Sequence, residues 1–218
     1  MKRHLTIIIL VLCAGLLSCS SDNNKSKDAV SVPFRQFLKK FRPLQYPLTF
    51  RTKLGTEKFN YSLLSVNIPT PEELKGLSEF DEKSIDSLFI KDLGKQTIYY
   101  GMLPDTNNYF GLIFILNGAE GTPIILRTYD KIGKQMSETN LLYCGDCHAG
   151  TNLEWCSSTG IINNNGTIHC VDSIKTVKRD SNMNIIDGTG DFYLTKRDGK
   201  INLDGKISMT KEQRINLK

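Results

Sequence analysis

The sequence predicts an α+β fold that is mainly β: an antiparallel meander forming a sandwich, a barrel or a curved sheet, with short N-terminal helices. Two observations predict it. From Gln96 onward, short runs rich in Ile, Tyr, Phe, Thr and Val alternate with Gly, Asn and Asp, the signature of strands joined by tight turns. Before that point, apolar residues recur at three- and four-residue spacing behind helix-start signals.

The first element is expected as a helix from about Pro33 to Phe41, with Ser31 near the cap position and Pro33 in the first turn. Phe34, Phe37, Leu38 and Phe41 make one apolar stripe opposite Arg35, Lys39, Lys40 and Arg42, and Pro43 stops the helix. Such a basic amphipathic helix can lie on anionic lipid. A stripe this apolar favours packing against its own domain. Thr70-Pro71-Glu72-Glu73 reads as a second helix start with a capping box, carried on by Leu74, Leu77, Phe80, Ile85 and Leu88.

The expected strands are Thr97 to Met102, Tyr109 to Leu116, Pro123 to Tyr129, Gly160 to Ile162, Thr167 to Val171, Ile174 to Lys178, Asp191 to Thr195 and Lys200 to Leu203. Gly133, Gly166 and Gly199 fall at equal spacing in similar turn sequences, which would suit a repeated strand-turn-strand unit. Asn-Gly and Asp-Gly also arise in any antiparallel meander, because hairpin turns need positive φ.

The chain opens with Met1-Lys2-Arg3-His4 and an uncharged apolar run from Leu5 to Leu17, the pattern of a signal peptide. As a helix that run would reach roughly 20 Å, short of the roughly 30 Å hydrocarbon core, so a permanent span is disfavoured. Its end, Leu16-Leu17-Ser18-Cys19, resembles the lipobox of bacterial lipoproteins. The resemblance implies cleavage before Cys19 and a diacylglycerol on its thiol, with a further acyl group such as palmitate on the freed amine. Residues 1–18 are then signal peptide, 19–30 a lipid-anchored polar tether, and 31–218 a single β-rich ectodomain. The expected location is the bacterial cell envelope, facing the periplasm or the cell surface. From Ile125-Leu126-Arg127-Thr128-Tyr129 onward, the glycine-punctuated hairpins resemble small exported β-rich lipoproteins of unknown function, a likeness that brings no catalytic residues.

The ectodomain holds four cysteines, Cys144, Cys147, Cys156 and Cys170, and two histidines, His148 and His169. Export places them in an oxidising compartment, where two disulfides are the first expectation, and four cysteines permit three pairings. Cys144-Gly145-Asp146-Cys147-His148 also matches the haem-attachment motif of c-type cytochromes. That resemblance implies thioether bonds from Cys144 and Cys147 to haem c, iron ligation by His148, and a distal ligand among His169, Met183 and Met209. Zinc on Cys144, Cys147 and Cys156 with His169 or Cys170, and a redox-active Cys144-Cys147 pair, are further alternatives.

The net charge of +5 falls by two when Lys2 and Arg3 leave, and Lys and Arg are interspersed with acids, so nucleic acid is not an expected partner. The sequence lacks a Gly-x-Ser-x-Gly elbow, a His-Glu-x-x-His helix and a phosphate loop. Asp191 with Asp198 could pair as carboxylates, but Asp198 is accounted for by a turn. Asp86-Ser87-Leu88 and Asp172-Ser173-Ile174 look like short acceptor sequences for O-glycosylation in exported bacterial proteins. The function expected is therefore non-catalytic: a binding or structural ectodomain, stapled by disulfides, with no resident metal or cofactor. Its partners would be the membrane, through Cys19, and a protein or glycan. The alternatives are a haem c electron carrier and an inhibitor or immunity protein.

Overall fold

The computed structural model describes residues 30–55, 77–81, 83–90, 93, 97–104, 107–116, 123–142 and 152–217. They build three layers. A helix, α1 (Val32–Leu38), covers one face of a four-stranded antiparallel sheet of β2 (Thr97–Met102), β3 (Phe110–Leu116), β4 (Ile124–Tyr129) and β5 (Gln135–Asn140), in that order. The opposite face of this sheet packs on a larger antiparallel sheet. It comprises β1 (Leu48–Gly55), β6 (Leu153–Ile162), β7 (Thr167–Thr176), β10 (Phe192–Ile201) and β11 (Ile207–Met209), with β12 (Gln213–Asn216) also on β10. A short hairpin of β8 (Lys178–Arg179) and β9 (Ile185–Ile186) stands apart. The mainly β, antiparallel α+β class is thus the one observed.

Position in the layers explains the sequence patterns. β3 and β4 are covered on both faces and read as nearly continuous apolar runs, while β6 and β7 alternate because only their inner face is covered. Ile113, Ile115, Ile124 and Leu126 meet Phe50, Ile162, Ile168 and Ile201 between the sheets. Leu112, Phe114, Tyr99 and Tyr129 on the other face meet Phe34, Phe37 and Phe41. The apolar stripe of α1 therefore faces the domain. Ser31 caps the helix, accepting from the Phe34 N–H at 3.4 Å, and the helix ends at Leu38, earlier than expected, with Lys39–Phe41 in a tighter turn.

The start of the second helix at Thr70 lies outside the described residues. Downstream, where helix was expected through Ile85 and Leu88, the chain makes one 3-10 turn, Ile85–Leu88. Its Asp86 is fully buried and acts as a tie between layers: the carboxylate accepts from Lys40 after α1, from the Tyr99 hydroxyl of β2 at 2.7 Å, and from the Asp81 N–H at 3.2 Å. Burial alone would raise its pKa, yet the hydrogen bonds from Lys40, Tyr99 and Asp81, with that of Ser84, together hold it below the ordinary value of 3.8.

The strands around the expected hairpins are longer than the sequence suggested. β7 runs unbroken through Asp172 and Ser173, and β10 runs straight through Asp198-Gly199. Gly133 and Gly166 do sit at turns, with φ of 91° and 77°, but Gly199 pairs within the sheet. The reason for a glycine at 199 is close approach: a Cβ there would lie 2.7 Å from the Ser208 carbonyl oxygen of β11. The repeated strand-turn-strand unit is accordingly not formed at its third position. β1 and β5 were not anticipated; β5 is polar, and backbone pairing to β4 at the sheet edge decides it.

Candidate functional site

The cysteine region is reached through β6 and β7. Alternation along a strand sends Cys156 and Cys170 to the inner face of the large sheet and His169 to the outer face. Cys156 is disulfide-bonded. Cys19, Cys144, Cys147 and His148 lie outside the described residues, and with them the attachment motif for haem.

Cys170 is a free thiol, 4% exposed within the main core. Burial pushes its pKa up to about 11, against the partial opposition of Arg197, so it stays protonated and unreactive near neutral pH. Its expected place in a disulfide is thereby corrected, and the register also rules out Cys156 as its partner. Cys156 stands opposite Ile174 and Cys170 opposite Gly160, four positions apart along the ladder. At about 3.3 Å per residue that separation is near 13 Å, well beyond what a disulfide spans. His169, on the other face, cannot join either sulfur in a zinc tetrahedron, and among the described residues there is no group of three potential metal-binding side chains. Of the distal-ligand candidates, Met183 sits 52% exposed in the β8–β9 turn, while Met209 packs against the core beside Gly199.

The row beside Cys170 holds the aspartate of the acceptor-like sequence Asp172-Ser173-Ile174. Ser158, Asp172 and Thr195 align across β6, β7 and β10, all buried. Asp172 accepts from the Ser158 hydroxyl and from the Thr195 hydroxyl at 3.2 Å. Burial raises its pKa, only partly offset by those two donors and by Arg197. Arg197 itself reaches the Asn140 carbonyl oxygen at 3.4 Å, on the segment that leaves β5. The signal available in the sequence was the spacing Cys170, Asp172, Ile174, which puts a carboxyl on the inner face of a strand. Asp86 repeats the lesson, since both Asp-Ser pairs place the aspartate in the interior.

On the outer face, the His169 Nδ1 lies 2.7 Å from Asp198, which also pairs with Lys196 at 2.9 Å. These contacts, His169 first, hold the Asp198 carboxyl below the usual range. Asp198 is therefore a strand residue with ionic partners, not a turn residue. Asp191 stands just before the same strand and seven positions from Asp198, roughly 23 Å along it, so the two carboxyls cannot act on one bond. Farther along this face the Trp155 and Phe192 rings meet at 5.5 Å over the strand between them.

Comparison with protein-family models, with curated proteins and with solved structures gave no match.

Proposed function

We propose that this chain is an exported lipoprotein, anchored to a bacterial membrane through Cys19, whose ectodomain binds a partner or serves a structural role and performs no catalysis. The observation that supports the reading is how the described body uses its polar groups. The buried carboxylates act as ties: Asp86 fastens the helix layer to β2, and Asp172 bridges β6 and β10. The outer face of the large sheet, by contrast, is half-buried and mixed. Trp155, Phe192 and Leu194 stand beside His169, Lys196 and Asp198, with Ile215 44% exposed at the edge. Aromatic and apolar groups interleaved with paired charges are the composition of a contact surface. A protein or a glycan is the class of partner such a face fits, and an inhibitor or immunity role would be the same contact made with one protein.

The anchor reading rests on the basic start, the apolar run and Leu16-Leu17-Ser18-Cys19. Cells expressing the full chain and fed labelled palmitate are expected to label it, and the Cys19→Ala variant is expected to carry no label. Label on that variant, or none on the parent, would refute acylation at Cys19.

A further inference from the structure

We propose that the surface around Val32 and Ile132 is a membrane-facing patch that lays the anchored ectodomain against an anionic leaflet. The inference rests on the lipid anchor at Cys19 and adds to it an orientation. Val32, the first residue of α1, is 66% exposed, and Ile132, at the tip of the β4–β5 turn, is 63% exposed. The two tips are held together: the Ser31 N–H donates to the Lys131 carbonyl at 3.2 Å, and the Ser31 hydroxyl donates to the Ile132 carbonyl at 3.1 Å.

Exposed cations flank this pair. Arg35 and Lys39 lie on the outward side of α1, and Lys134 lies on the turn. Leu88, 61% exposed, adds a third apolar side chain on the 3-10 turn whose neighbour Phe89 packs on Phe34 at 5.1 Å. The acid within the β4–β5 turn, Asp130, is occupied by the Ile132 and Lys134 backbone N–H groups at 3.0 and 2.8 Å. Apolar tips ringed by cations suit the boundary between headgroups and acyl chains. Each such cation near an anionic surface strengthens the contact by roughly fivefold.

Chain length names the occupant. Ser31 follows Cys19 by twelve residues. Twelve residues reach at most roughly 40 Å even when fully extended, no more than the roughly 40 Å that a body of this size measures across. The face through which the chain enters the body is thus the one nearest the lipid, and it is this face that carries Val32 and Ile132.

The test uses the full chain, processed in bacteria and reconstituted in vesicles of phosphatidylcholine with phosphatidylglycerol, brominated on the acyl chains. Ile132→Trp is expected to be quenched on the order of twofold more than Ile185→Trp, a control 45% exposed on β9, beyond the opposite end of β7 from the β10–β11 turn. Adding Arg35→Glu and Lys134→Glu should remove the difference. In the unaltered protein, hydrogen exchange should slow in peptides covering Val32 and Ile132 on moving from detergent to these vesicles. Equal quenching at both positions, or unchanged exchange, overturns the orientation while leaving the anchor intact. A chain with no lipid on Cys19 by mass overturns the anchor and the orientation together.

Discussion

Replacing Asp86 with alanine is expected to destabilise the protein by about 3 kcal/mol at neutral pH. The carboxylate is the shared acceptor for a Lys40 ammonium, a buried Tyr99 hydroxyl and the Asp81 N–H. Its removal leaves the hydroxyl without its charged acceptor in the interior. Lys40 is 25% exposed and can turn toward water, which keeps the loss below that of a wholly buried pair. The pH dependence has a definite sign. Because the folded pKa of Asp86 lies below 3.8, its contribution is full above that value and disappears as pH falls through the lowered folded pKa. Urea unfolding of the two proteins should therefore diverge at neutral pH and converge in strong acid. Asp172 works the other way: its raised pKa gives a contribution present below 3.8 and lost as pH rises through the folded value. An Asp86→Ala protein as stable as its parent at neutral pH would show that Asp86 is not a tie.

Phe37→Ala is expected to cost about 4 kcal/mol. The ring is fully buried and meets Phe41 at 5.3 Å, Phe89 at 4.9 Å and Tyr99 at 5.7 Å, so its loss opens a cavity between α1 and the four-stranded sheet. Its neighbour Gln36 is exposed on the same helix, and Gln36→Ala should stay within about 0.5 kcal/mol. Chemical denaturation of both variants measures the contrast. Similar small losses at both positions would mean that α1 is dispensable to the core.

The β class was legible because strand composition and turn residues are local signals, and β2 was bounded correctly from them. What was not legible depended on neighbours. Asp198-Gly199 looks like a hairpin turn in isolation, but β7 on one side and β11 on the other keep it extended. Polar β5 carries no strand signal of its own and is fixed by pairing to β4. Within the site, alternation alone separates His169 from Cys170, which was readable in the sequence. That Cys170 is four positions out of step with Cys156 required the register. The tie at Asp86 joins three segments distant in sequence, and no local pattern announces such a meeting.

The intact mass of the membrane-extracted protein, before and after reduction, tests whether the mature chain is the proposed lipid-anchored, haem-free envelope protein. The chain is expected to begin at Cys19 and carry lipid, to gain two hydrogens on reduction for the bridge at Cys156, and to keep no other adduct. A chain retaining residues 1–18 without lipid, or a covalent haem that survives reduction, would contradict it.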